Sequence, residues 1–136
     1  MARLILIRGV PGSGKSTLAK SILSQEYGKH MEADMYFDRE GEYKFDATKL
    51  GAAHGWCQAE TAHYLDKGVN VVVSNTFTTI KELKPYFEMA KLHGITPEVI
   101  LCQNQFGNIH NVPAESLKRM RDRFQYDIKE LFDEQK

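Results

Sequence analysis

Short apolar runs alternate with longer stretches of helical periodicity along the chain. Arg3–Arg8 reads RLILIR, the pattern of a strand buried on both faces, and it stops at a glycine-rich turn. From Lys15 to about Gln25, Leu18, Ile22 and Leu23 fall on one helical face. His30–Asp34 is a weaker strand pattern ending in two acids, Glu32 and Asp34. The stretch Asp38–Asp46 is polar and turn-rich. Thr48–Lys67 predicts a long helix with Gly68 as its C-terminal cap. Asn70–Ser74 (NVVVS) is a second buried strand, and Thr79–His93 a helix ended by Gly94. Pro97–Cys102 adds another strand. A polar loop, Gln103–Val112, leads to Pro113, which opens a charged final helix running to the C-terminus.

This β-α-β-α-β-α-β-α order predicts an α/β fold. The expected architecture is three layers, α/β/α, around a small parallel sheet of about four strands, in a single domain over residues 1–136.

Composition narrows the functions available. Eighteen basic and eighteen acidic side chains cancel, which argues against a broad, sequence-independent grip on a nucleic-acid backbone. A local basic patch or a short oligonucleotide end stays compatible with that balance. Cys57 and Cys102 have no partners at zinc-site spacing and read as reduced thiols of a cytoplasmic protein. No apolar stretch reaches the ~20 residues needed to span a bilayer.

Gly9-Val-Pro-Gly-Ser-Gly-Lys-Ser-Thr17 fits G-x-x-x-x-G-K-[ST], between a predicted strand and a predicted helix. This is a P-loop, the one motif here that fixes a chemistry. Gly9, Gly12 and Gly14 allow the sharp turn that aims backbone N–H groups inward, with Pro11 and Ser13 completing the cradle. The helix N-terminus adds its positive dipole end. Lys15 places a charge on the β/γ-phosphates, Ser16 offers a hydroxyl ligand to Mg²⁺, and Thr17 can reach the α-phosphate. The predicted ligands are therefore ATP and Mg²⁺.

Ligands of such sheets bind at the carboxyl ends of the strands. Asp34, at the second strand end, is the candidate base for an attacking hydroxyl; its alternative is to cap a turn. Glu32 shares its face as a further candidate. Ser74 and Asn75 end the third strand where many P-loop enzymes place an aspartate; they can hold a metal-bound water through neutral oxygens or simply start a turn. The loop containing His110 has the composition of a cover over the nucleotide. Arg119 and Arg123 share a helical face and can reach phosphate, stack on adenine, or pair with nearby acids. His54, near Trp56 on the long helix, is a substrate-site candidate.

Taken in order, GVPGSGKST, EADMYF (Glu32–Phe37), GEYKFD (Gly41–Asp46), AHGWC (Ala53–Cys57), VVVSNTFT (Val71–Thr78) and FGNIHNVP resemble the polynucleotide-5′-kinase-like P-loop kinases. The likeness is greatest to short phage-encoded members described as ATP-binding proteins or kinases, which would place the protein in the host cytoplasm. It implies transfer of the ATP γ-phosphate to a hydroxyl, with a DNA or RNA 5′-OH end as the founding acceptor. It aligns the general base with Asp34, and the loop lysine and serine with Lys15 and Ser16. Three departures stand out. The Ser74-Asn75 segment has no carboxylate. The arginine that follows the base is displaced to Arg39. The lid arginine falls at Phe106-Gly107.

These departures leave three readings: a kinase of nucleic-acid 5′ ends, a kinase of a nucleoside or other small metabolite, and an ATP-binding module or slow ATPase serving a protein partner.

Overall fold

The computed structural model describes residues 2–39, 41–103 and 113–135. Four strands, β1 (Leu4–Arg8), β2 (Lys29–Met31), β3 (Val71–Ser74) and β4 (Glu98–Leu101), form an all-parallel sheet in the order β2-β3-β1-β4. Helix α1 (Lys15–Gln25) covers one face; α2 (Leu50–Asp66) and α3 (Ile80–Leu92) cover the other. The expected three-layer P-loop fold is what the chain adopts.

Alternation along the strands sorts the layers. Leu4, Leu6, Val71 and Val73 pack with Ala53, Cys57 and Leu65 of α2 and with Leu83, Phe87 and Ala90 of α3. Ile5, Ile7 and Val72 point the opposite way, against Ala19, Leu18, Ile22 and Leu23 of α1. Each such aliphatic side chain contributes about 1.5–3 kcal/mol by leaving water. Gly68 and Gly94 take φ of 75° and 69° just beyond α2 and α3, as helix-ending residues do. Thr79 and Glu82 form a capping box at the start of α3. Among the described residues, no helix is long and apolar enough to cross a membrane.

The structure departs from the sequence pattern twice. Strand β2 stops at Met31, and Ala33–Asp38 winds into a 3₁₀ turn, so Asp34 sits in that turn rather than on the strand. The final helix is also broken, into α4 (Ala114–Arg123) and α5 (Lys129–Asp133). The cause lies in the core. Arg8, 1% exposed, donates from Nη2 to the Gln125 carbonyl at 2.7 Å and stacks on the Phe124 ring. Gln125 in turn donates its N–H to Thr78 O at 2.8 Å, and its side chain accepts from Ile80 N at 2.6 Å. Tying down both faces of this segment takes its backbone out of the helix.

Candidate active site

Because the strands are parallel, their four carboxyl ends gather at one edge, and the loops that follow them meet there. Gly12 and Gly14 have φ of 82° and 94°, a left-handed region that favours glycine. A Cβ at Gly9 would lie 2.5 Å from Ser13 Oγ and 2.6 Å from the Cys102 carbonyl, so the loop closes only over a glycine. Helix α1 begins at Lys15 directly after Gly14, and its first N–H groups border the loop. Pro11 is half-buried and Thr17 exposed; the Ser13 hydroxyl is buried without a hydrogen-bond partner among the described residues.

Lys15 folds back on its own loop, donating from Nζ to the Val10 carbonyl at 3.1 Å. Burial lowers the pKa of this ammonium, against the opposing pull of Glu32. A cation half-withdrawn from water and paired with a neutral carbonyl is poised for an anion, which suits the phosphates of a nucleotide.

Beside it lies a polar cluster drawn from three elements. Glu32 Oε2 accepts from Ser16 Oγ at 2.7 Å and from Ser74 Oγ at 2.9 Å. His30 Nε2 lies 2.6 Å from Ser74 Oγ, and burial lowers the His30 pKa. Asn75 is turned away from this cluster. Its Oδ1 accepts from Ala33 N at 2.9 Å, and its amide approaches Cys57 Sγ at 3.8 Å. Asn75 therefore anchors the turn that carries Asp34, instead of offering an oxygen to a metal.

Asp34 is exposed, and its Oδ1 accepts from the Tyr43 hydroxyl at 2.7 Å. Partial burial and this bond push the Tyr43 hydroxyl up to about 12. Next to it opens a groove of about 680 Å³ lined by aromatic and basic side chains, Tyr36, Phe37, Arg39, Lys44, Phe45 and Lys49, and by the acids Glu42 and Asp46, with Lys44 3.8 Å from Glu42. Arg39 stacks on the Tyr36 ring at 3.9 Å and Phe45 meets Phe37 edge-on at 5.1 Å.

A second, smaller cavity of about 200 Å³ adjoins the phosphate loop at Val10 and is lined by Arg121, Phe124 and Tyr126. The α4 arginine that reaches a cavity is thus Arg121. All three α4 arginines, Arg119, Arg121 and Arg123, are exposed, and Arg119 donates to Ser116 Oγ at 3.4 Å. His54 is half-buried on α2, and Trp56 packs against Tyr36. His110 and the Phe106-Gly107 pair lie outside the described residues.

The sequence pattern did not point to Arg8, His30 or Tyr43. Only Arg8 carried a usable signal, a charge at the end of a run otherwise buried on both faces.

Among the described residues, no three His, Cys, Asp or Glu side chains cluster as a self-sufficient metal site. Magnesium beside a nucleotide does not need one: it keeps waters, takes phosphate oxygens, and uses one or two hard oxygen donors from the protein. Ser16, Ser74 and Glu32 are such donors.

Comparison with known proteins agrees with this fold. The profile described as an AAA domain, AAA_33, matches residues 4–106. Human NEDD4-binding protein 2 is 31% identical over 137 residues, covering 90% of this chain; the chain spans only 8% of that protein's length. The Pasteurella multocida protein PM0531 is 31% identical over 134 residues, covering 88% of this chain and 75% of its own. Among solved structures, a chain of the Pnkp1/Rnl/Hen1 complex aligns over 87% of this chain and 38% of its own, at 19% identity and a TM-score of 0.62. The Mycobacterium tuberculosis APS kinase CysC aligns over 87% of this chain and 67% of its own, at 15% identity and a TM-score of 0.56. The chain belongs to the AAA domain family AAA_33 and has a P-loop kinase-like fold.

Proposed function

We propose that this protein transfers the γ-phosphate of ATP to a hydroxyl, and that the acceptor is the 5′-OH end of a nucleic acid. One observation carries the reading: Asp34 already accepts a hydrogen bond from a hydroxyl, that of Tyr43, at the same sheet edge as the phosphate loop. An acceptor hydroxyl in place of Tyr43 would meet the same carboxylate oxygen.

In this reading Lys15 leaves the Val10 carbonyl and pairs with the β- and γ-phosphates, while the loop amides hold them in place. The acceptor oxygen attacks the γ-phosphorus, its proton passes to Asp34, and the bond to the bridging oxygen breaks, leaving ADP. Bound magnesium would neutralise charge on the phosphates, held from the protein side by Ser16 with Ser74 and Glu32 nearby. The cavity beside Val10 offers Phe124, Tyr126 and Arg121 to the adenine.

The groove next to Asp34 supports the nucleic-acid acceptor. It sets aromatic rings beside Arg39 and Lys49, groups that stack bases and pair with a phosphate, while Glu42 and Asp46 limit how much of a backbone it could hold. The zero net charge of the chain suits recognition of an end rather than of a long backbone. The fold shared with a chain of the Pnkp1/Rnl/Hen1 complex, an RNA repair complex, is compatible with the same acceptor. The likeness to APS kinase keeps a small acceptor as the second reading.

The test is transfer from γ-labelled ATP to 5′-OH DNA, 5′-OH RNA and free nucleosides, with 5′-phosphorylated strands as the control. Label on 5′-OH strands alone is expected. Label on nucleosides but not strands would move the acceptor to a small molecule. Release of free phosphate alone would reduce the protein to an ATP-binding module or slow ATPase.

A further inference from the structure

The end of β3 lacks the carboxylate that a magnesium-nucleotide site ordinarily draws from that strand, and Ser74-Asn75 stand in its place. The sheet supplies an acid from next door. The β2–β3 register pairs Met31 with Val73, so the following residues, Glu32 and Ser74, come side by side at the strand ends. We infer that Glu32 supplies, from β2, the carboxylate that orders magnesium on the bound nucleotide, doing from the neighbouring strand what Ser74 and Asn75 do not do. The inference rests on the reading of Gly9–Thr17 as a site for a magnesium nucleotide.

Three details support it. First, Glu32 faces the phosphate loop: Oε2 takes the hydroxyl of Ser16, the residue that would ligate magnesium, at 2.7 Å. Second, the carboxylate is held in place. The single proton of Ser74 goes to Glu32, so Ser74 Oγ must accept from His30, which fixes an N–H on His30 Nε2. This chain from His30 through Ser74 orients Glu32 from the β3 side, while Ser16 orients it from α1. Third, the other acid of the segment is committed elsewhere. The backbone turns into the 3₁₀ helix between them, sending Asp34 to Tyr43 and the acceptor groove. The two acids, two residues apart, are thereby divided between the cation and the acceptor.

The alternative is that Glu32 only balances Lys15 and tethers Ser16, as a structural acid would. Binding experiments on the intact protein separate the two. Affinity for ADP is measured by calorimetry with and without Mg²⁺, alongside Mn²⁺ electron paramagnetic resonance of the ADP complex. In the wild type the cation should tighten ADP binding. E32Q removes a negative charge beside the phosphates, so it should bind metal-free ADP at least as tightly as the wild type. It should lose about 10–100-fold in metal affinity for the complex, the usual effect of removing a group that orients a metal's ligands. The double variant E32Q/S74D, which moves the carboxylate to β3, should regain much of that loss and restore the Mn²⁺ spectrum. Two results would overturn the inference: E32Q keeping the full gain from the metal, or E32Q losing metal-free and metal-dependent affinity equally. The readout is binding, so a protein that takes up magnesium-ADP normally yet transfers no phosphate would defeat the kinase reading and leave this one intact.

Discussion

Beside the phosphate loop, the side chains of Lys15, Ser16, Ser74 and Glu32 each have a partner inside the protein, whereas around Asp34 the partners are few and exposed. Lys15 holds Val10, Ser16 and Ser74 hold Glu32, and His30 holds Ser74, all between strands and a helix packed against the core. Asp34, Tyr43, Arg39 and Phe45 sit instead on a 3₁₀ turn and the irregular segment after it, with Tyr43 52% and Phe45 55% exposed. On the proposed function, the difference follows from what each side would bind. A triphosphate is the same in every turnover, and pre-ordered charges cost no reorganisation when it arrives. The proposed acceptor would have to enter, displace Tyr43 and leave, which an exposed and lightly held surface allows. Asn75 joins the two halves, because it lies beside the cluster at Ser74 but anchors the turn of Asp34.

Asp34 apart, breaking the pre-ordered side should have the largest effect. Lys15→Ala should lower turnover by about 10²–10³-fold, as loss of one aimed charge-stabilising group does, with no change in the thermal unfolding profile. Asn75→Ala tests the junction. It orphans the buried Ala33 N–H, so unfolding free energy should drop by about 1–3 kcal/mol, and phosphate transfer should fall more than ADP affinity. Unchanged stability would mean that the turn does not depend on this bond. On the exposed side, Phe45→Ala or Arg39→Ala should raise the KM for an oligonucleotide about 5–10-fold, close to the loss of one stacked base, and leave the KM for ATP alone. Equal effects on both substrates would erase the distinction between the two sides.

The smallest effect should come from a contact remote from both. His93 bonds Asp66 at 2.6 Å, and its bonds to Met89 O and Asp66 raise its pKa. A raised folded-state pKa stabilises fully below the unfolded value of about 6.5 and fades as pH climbs through the folded one. His93→Gln should therefore lower Tm by a few degrees under mildly acidic conditions and hardly at all in mild alkali, with transfer unaffected.

Local features of the chain were legible in its sequence, and pairings across the sheet were not. Gly9–Thr17 announces itself because loop, lysine and helix start are contiguous, and α1 begins at Lys15 as its periodicity predicts. The ends of α2 and α3 were marked by Gly68 and Gly94. The place of Glu32 depends on β2 lying beside β3 in one register, and periodicity does not encode which strands are neighbours. The break after Arg123 was hidden because Phe124 suits a helical face; what breaks the helix is Arg8, more than a hundred residues earlier. Arg119 and Arg123 were singled out by their shared face, but which arginine of α4 lines a cavity depends on how that helix docks, and it is Arg121.

The division between a pre-ordered phosphate side and an exchanging acceptor side is tested most directly by Asp34→Asn, comparing ADP affinity with label transferred from γ-labelled ATP. Nucleotide affinity should match the wild type, while transfer to the acceptor falls by about 10²–10⁴-fold, the usual contribution of a positioned base. Transfer at the wild-type rate, or loss of nucleotide binding along with it, would contradict the assignment of Asp34 to the acceptor side.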